Sequence, residues 1–277
     1  MNCLLCGNLI STHSENSKNN LTYVCHNCNL TQTVHSEVVK EQYKKDFWLQ
    51  ADHGKIVGTD FNDRKGQDLV LLWNSWYSYC QKHLSNKKNI LDIGSGTGIS
   101  LIMFEKKGFH VTGVEPDPKN TDLINKELKV GHCVNGFIED LSLDKKFDVI
   151  WLTHVIEHVE KPDLLLKKCH DFLKDNGVIF IAVPDCENPS MMKSSTNNPF
   201  HLYHFSKKAL TELASLSGYQ ILKCDSLATM TRTIRRIHKV LRKIFLNSLS
   251  QKIAPYYPFE LTDGKNGYEI RAVLTKI

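Results

Sequence analysis

The sequence predicts an α/β domain built on a mostly parallel sheet, preceded by a small segment of paired cysteines. Three observations carry that reading. Four short apolar runs, NILDIG, HVTGVE, FDVIWL and GVIFIAVP, alternate with stretches of helical periodicity. That is the pattern of strands covered on both faces by crossover helices. The first run enters a turn with three glycines, Gly94, Gly96 and Gly98, before another helical stretch. Near the N-terminus, four of the nine cysteines form two C-x2-C pairs. With 277 residues, 41% of them hydrophobic, the chain can bury a sizeable core.

In chain order, residues 1–36 read as a segment with little apolar mass, carrying Cys3, Cys6, Cys25 and Cys28. Residues 37–88 read as N-terminal helices with breaks. Within them Trp73, Trp76, Tyr77 and Cys80 fall at i, i+3, i+4 and i+7, one face of a helix. After the fourth apolar run, Ser206 is the N-cap of a helix burying Leu210, Leu213 and Ala214, and Gly218 stops it. YQILKC and the closing YEIRAVLTK read as strands, with a helical insertion over 227–262 between them. No stretch approaches the 18 apolar residues of a membrane-spanning helix. The opening residues lack a basic start and a long apolar run, so no signal peptide is read and a reducing, cytoplasmic setting is expected.

In such a setting, C-x2-C pairs eighteen residues apart fit structural Zn²⁺ better than disulfides. Cys3, Cys6, Cys25 and Cys28 are therefore the expected ligands of a zinc ribbon, whose folding energy the metal supplies. Cys80, Cys133, Cys169, Cys186 and Cys224 show no ligand spacing and read as small buried residues.

The glycine turn is G-x-G-x-G. Position 99 is Ile, which breaks the dinucleotide pattern, and no Gly-Lys-Ser/Thr follows. HVTGV ends in Glu115, followed by Pro116, and a carboxylate there can accept from both hydroxyls of a ribose. Together with FDVIWLTHVIEHV, these residues resemble class I S-adenosylmethionine-dependent methyltransferases over roughly residues 89–225. The resemblance implies a Rossmann-like seven-stranded sheet whose last strand is antiparallel. It implies that Asp92, Gly94, Ser95, Gly96 and Gly98 run along the methionine part of the cofactor, that Glu115 and Pro116 meet the ribose, and that Phe137 and Ile138 flank the adenine. Thr153 belongs to the same expected set. The methyltransferase domain would span 37–277.

Two loops at the carboxyl ends of strands are rich in titratable groups: His154-Val155-Ile156-Glu157-His158 and His201-Leu202-Tyr203-His204. Ligands of open parallel sheets bind at such ends. Methyl transfer from a sulfonium needs alignment, and a base when the acceptor is a hydroxyl. His158 is the first candidate base, with His154, His201, His204 and Glu157 beside it. An E-x-x-E-H version of this motif resembles ubiquinone-pathway O-methyltransferases, where a divalent metal sits. Here His154 takes the first position, so a second divalent metal at the His/Glu rim stays an open alternative.

The net charge is +5, yet no acidic residue lies between Asp225 and Glu260. Arg232, Arg235, Arg236, Lys239, Arg242 and Lys243 outweigh that net charge, so the remainder is slightly acidic. They face away from Ile234, Ile237, Val240, Leu241, Ile244 and Phe245, which makes 231–246 an amphipathic helix. Three readings stay open: a solvated face, contact with an anionic acceptor or membrane surface, and RNA binding. The arrangement resembles bacterial methyltransferases of surface-polysaccharide and nucleotide-sugar pathways. It implies O-methylation of a sugar or a nucleotide- or lipid-linked sugar. The rival readings are an RNA methyltransferase, disfavoured because no aromatic–basic stacking patch is present, and a non-catalytic zinc-ribbon interaction protein.

Overall fold

The structure, a computed structural model, describes residues 2–10, 12–15, 21–34, 64–230, 255–263 and 265–277. The amphipathic segment 231–246 and the expected helices before residue 64 lie outside them.

Strands β1 (Thr12–Glu15), β2 (Leu21–Val24) and β3 (Thr31–Val34) form an antiparallel N-terminal sheet. The two cysteine pairs turn alike. Gly7 N–H donates to Cys3 O, and Asn29 N–H donates to Cys25 O. Gly7 and Asn29 both take the left-handed conformation that such a turn needs, at φ 70 and 58.

Helix α1 (Arg64–Cys80) buries Trp73, Trp76 and Cys80 on one face and leaves Tyr77 half-buried, as its periodicity predicts. Then follow β4 (Asn89–Ile93), α2 (Ile99–Lys106), β5 (His110–Glu115), α3 (Pro118–Glu127), β6 (His132–Asn135), β7 (Phe147–Thr153) and α4 (Pro162–Phe172). The chain continues through β8 (Leu173–Pro184), α5 (Pro189–Asn197), β9 (Tyr203–His204) and α6 (Lys207–Leu216). It closes with β10 (Tyr219–Thr229), β11 (Phe259–Thr262) and β12 (Glu269–Lys276). As expected, the Ser206 side chain caps α6 by accepting from Ala209 N–H.

The main sheet has the order β11-β10-β12-β8-β7-β4-β5-β6. Strands β6, β5, β4, β7 and β8 pair in parallel, and β12 inserts antiparallel between β8 and β10. The antiparallel last strand is as expected, but among the described residues the sheet has eight strands rather than seven. The extra strand is β11, which pairs with the end of β10 through Ser226↔Thr262 to Thr229↔Phe259. Both edges of the 227–262 insertion are thus strand, which narrows its unassigned centre.

Successive strand residues point to opposite faces, and both faces are buried. Ile93, Leu152 and Ile181 pack with α4, α6 and the N-terminal sheet. Ile90, Trp151 and Phe180 pack with α1, α2 and α3. The first face also reaches across the expected division at residue 36. Cys3, Leu5, Cys25, Cys28 and Leu30 belong to the same apolar cluster as Leu210 and Leu213 of α6. Strand β9 also leaves the second half of the chain to pair with β3, through Thr31↔His204 and Gln32↔Tyr203.

Candidate active site

A cleft of about 540 Å³ opens at the carboxyl ends of β4, β5 and β7. That volume suits a small-molecule ligand. The glycine turn forms its floor. Gly94, Gly96 and Gly98 have φ of 69, 52 and 74, all left-handed. A Cβ on Gly94 would lie 2.6 Å from Val155 Cγ2, so the turn also depends on the close approach of the β7 loop.

Of the expected cofactor residues, Gly94, Ser95, Gly96, Pro116, Phe137, Ile138 and Thr153 line the cleft. Gly98 does not. It precedes α2, where a Cβ would meet Ile124 Cγ1 at 2.7 Å. Asp92 lies beneath the turn, 1% exposed, and its Oδ2 has no hydrogen-bond partner among the described residues. Burial, with Ser95 opposing and the charge of Glu115 adding, pushes its carboxyl up to about 8. Glu115 is fully buried and does not face the cleft, contrary to expectation. Its two oxygens accept from Gly96 N–H at 2.7 Å and Asp117 N–H at 3.0 Å. Burial outweighs those bonds and raises it to about 7.

The histidine rim divides into three kinds of group. His154, at φ 55, follows β7 and lines the cleft. Its Nδ1 lies 3.3 Å from Glu157 Oε1, and its Nε2 lies 3.0 Å from Glu269 Oε2. Burial opposes its charge, but the two carboxylates raise it to about 10. It therefore keeps both protons at neutral pH, which removes it as a base. Glu269 is itself buried beside Arg271 and accepts from Trp76 Nε1–H at 2.9 Å. Burial would raise Glu269, yet Arg271 and His154 hold it at about 2. This knot ties α1, β7 and β12 together behind the cleft. The sequence reading missed Glu269 and Arg271. Two opposite charges at i and i+2, on one face of an otherwise apolar strand, were the available signal.

His158 and His201 line the cleft with their rings 4.7 Å apart. His158 Nδ1–H donates to Phe200 O at 2.8 Å, so the Nε2 position carries the lone pair of the neutral ring. His201 is lowered to about 4 by burial and by His158. Glu157 is buried behind them. Burial raises it, but the His154 hydrogen bond and the nearby histidines hold it at about 2, and its Oε2 has no partner among the described residues. One ligand atom each of Glu157, His158 and His201 lies within 4.8 Å of the others.

His204 is completely buried and does not line the cleft, which removes it as a base. Its Nε2 is 2.6 Å from Thr33 Oγ1 and its Nδ1 is 2.7 Å from Ser195 Oγ. The same Ser195 Oγ is 2.7 Å from His201 Nδ1.

The thiols of Cys3, Cys6, Cys25 and Cys28 also lie within 4.8 Å of one another. Cys3 Sγ is 3.5 Å from Cys28 Sγ, and Cys6 Sγ is 3.4 Å from Cys25 Sγ. A tetrahedral Zn²⁺ with bonds of about 2.3 Å needs edges of about 3.8 Å, so this set fits the ion. Cys80, Cys133, Cys169 and Cys186 are buried and Cys224 is half-buried; all are unpaired thiols.

The family described as "Methyltransferase domain" matches residues 64–223, more than half of the chain. A ubiquinone biosynthesis O-methyltransferase of Pelagibacter ubique is 36% identical over 106 residues, covering 36% of this chain and 43% of that protein. One of the same name from Nitrobacter winogradskyi is 31% identical over 94 residues, covering 32% of this chain and 36% of that protein. These matches span less than half the length of either relative. Among solved structures, the plantazolicin methyltransferase BpumL in complex with SAH has a TM-score of 0.55 at 19% identity, covering 87% of this chain and 98% of that one. Coclaurine N-methyltransferase has a TM-score of 0.57 at 13% identity, covering 87% and 83%. Both show a shared α/β methyltransferase fold.

Proposed function

The chain belongs to the methyltransferase-domain family, and from that membership we propose that it transfers a methyl group from S-adenosylmethionine to a hydroxyl. The observation that carries this reading is the cleft. A turn of left-handed glycines and a histidine rim face one space, and the orphaned Asp92 carboxyl lies beneath the turn. The donor set suits the cofactor, whose sulfonium and ammonium are cations and whose adenine can rest on Phe137 and Ile138. When bound, the cofactor supplies an already activated methyl group.

The chain's own part is then alignment and proton removal. His158 is the proposed base, with its Nδ1 proton tied to Phe200 O and its Nε2 turned to the acceptor. His201 beside it accepts a hydrogen bond from the acceptor and orients it. Leu69, Leu72 and Trp76 form an apolar wall on which a ring can lie. The acceptor we propose is a hydroxyl of a sugar or of a nucleotide- or lipid-linked sugar. The O-methyltransferase names of the curated relatives support oxygen as the acceptor atom. Cys3, Cys6, Cys25 and Cys28 are proposed to hold one structural zinc.

A second reading of the rim has its own support. Glu157, His158 and His201 converge, and the buried Glu157 Oε2 lacks a partner among the described residues. Two imidazoles and a carboxylate suit a divalent cation, which would bind the acceptor oxygen and lower the need for a base.

Labelled-donor transfer to nucleotide sugars, lipid-linked sugars and RNA tests the proposal. Transfer to a sugar hydroxyl is expected, and transfer to RNA alone would overturn the acceptor class. His158→Ala should lower kcat by roughly 10²–10⁴-fold while leaving the affinity for the cofactor product intact. An effect under about threefold would rule His158 out as base. Rescue by added Mg²⁺ or Mn²⁺ after chelation, with the cysteine site loaded, would favour the metal reading.

A further inference from the structure

Phe200 ties two groups of the cleft wall to one residue. Its carbonyl accepts from His158 Nδ1–H at 2.8 Å, and its N–H donates to Asn198 Oδ1 at 3.0 Å. Asn198 follows α5, is half-buried, and lines the cleft together with His158 and His201. The chain holds it in place. Pro199 comes next, which disfavours helical backbone at Asn198 and fixes the φ that follows. Asn198 accordingly sits at φ −79 and ψ 116. Its N–H donates to Ser195 O at 3.1 Å, and its carbonyl accepts from His201 N–H at 3.2 Å.

That leaves the nitrogen of its side-chain amide. Such an amide has one acceptor, the oxygen, and two N–H donors on the nitrogen. Only the oxygen can meet the Phe200 N–H, so turning the amide over would set donor against donor. Asn198 Nδ2 makes no hydrogen bond among the described residues. Water can satisfy it while the cleft is open. An acceptor that fills the cleft displaces that water, and a donor left unpaired then weakens binding. An oxygen on the acceptor, close to the hydroxyl that His158 deprotonates, removes that cost.

We infer that the methyl acceptor carries such a second oxygen and that Asn198 Nδ2–H donates to it. Asn198 is thus a specificity-determining residue, selecting rings with several hydroxyls over rings with one. The inference rests on the proposed transfer to a hydroxyl and deepens it. The apolar side chains of Leu69, Leu72 and Trp76 give the face of such a ring a surface to lie on, while its oxygens meet His158 and Asn198.

The test uses the full chain and the nucleotide sugars and lipid-linked sugars of the labelled-donor screen, each paired with its monodeoxy analogues. For the best acceptor, one analogue that keeps the methylated hydroxyl should be poorer by about tenfold in kcat/KM, the worth of one hydrogen bond. Asn198→Ala should lose that discrimination, leaving the parent and the deoxy acceptor within about twofold of each other. A loosened loop slows both acceptors alike, so their ratio reports the donor rather than the fold. Asn198→Asp keeps an oxygen for the Phe200 N–H and replaces the donors by an acceptor, and it serves where the alanine variant does not fold. The matching aminodeoxy analogue carries an ammonium group, which only donates. It should be poorer than the deoxy analogue with the wild type and better with Asn198→Asp.

A wild type that treats the parent and all its monodeoxy analogues alike overturns the inference. So does discrimination that survives Asn198→Ala undiminished, or an order of the deoxy and aminodeoxy analogues that Asn198→Asp leaves unchanged. Each of those results would leave transfer to a hydroxyl standing. Absence of transfer to every hydroxyl acceptor would instead overturn the proposed function, and the inference would fall with it.

Discussion

Asp92 offers a test that needs no substrate. Its carboxyl is buried beneath the glycine turn with one oxygen orphaned, and its ordinary value of 3.8 is pushed up to about 8. The unfolded chain releases that proton near pH 4, while the folded chain keeps it until about pH 8. A group raised on folding adds stability that is full below its unfolded value and is lost as pH rises through its folded value. Across that window the wild type should lose about 1.4 kcal/mol per pH unit from this group, on the order of 5 kcal/mol in all. Asp92→Asn keeps the shape and cannot ionise. Urea unfolding of both proteins at pH 5, 6, 7 and 8 should show the asparagine variant gaining on the wild type at each step, with the gap levelling above about pH 8. Any fixed cost of the new amide shifts the curves without altering that slope. Parallel stability curves would refute the reasoning, since they require an ordinary carboxyl at Asp92. Affinity for the cationic cofactor should move the opposite way, weaker in the variant.

Other perturbations have equally definite outcomes. Gly94→Ala forces a side chain into a left-handed residue and against Val155, so urea unfolding should show a loss of at least about 1–2 kcal/mol, together with weaker binding of the cofactor product. Purified protein should carry about one equivalent of zinc, and Cys25→Ser should lose it. Because Cys25 and Leu30 share an apolar cluster with α6, that variant should also melt at lower temperature in a single transition, and an unchanged melting temperature would restore a separate ribbon. Glu269→Gln strands the charge of Arg271 and should cost about 3–5 kcal/mol at pH 7. Glu269 is held at about 2, below its ordinary 4.5, so this penalty should shrink as pH falls from 4.5 toward 2 in the same unfolding assay.

Much of the fold was legible because parallel strands and their helices leave local marks. The apolar runs became β4, β5, β7 and β8, and Ser206 capped α6 as read. Strand β11 was not legible, since FELT has no pattern of its own and exists by pairing with the end of β10. The site divided in the same way. The glycine turn declared itself by residue type, and most of its expected contacts do line the cleft. Histidine density, by contrast, says nothing about what each ring faces. His154 is claimed by two carboxylates, one of them 115 residues away, and His204 by a hydroxyl 171 residues away. Such partners are products of tertiary packing. Glu115 shows a subtler limit, because its place at the end of β5 was as expected while its oxygens accept from Gly96 and Asp117 N–H, partners the sequence does not mark.

The pairing of β3 with β9 has a consequence for the order of assembly. Strands β1 to β3 are close neighbours in sequence and pair with one another, but their fourth strand is supplied by Tyr203 and His204. Until that dipeptide arrives, β3 presents an open row of amides and carbonyls, the kind of edge that recruits foreign strands. A loop this long delays closure, because its entropy must be paid before the contact rewards it. Two residues of β9 thus act as a late cap on an early sheet, and a chain interrupted before Tyr203 would carry a sticky edge that the complete chain hides.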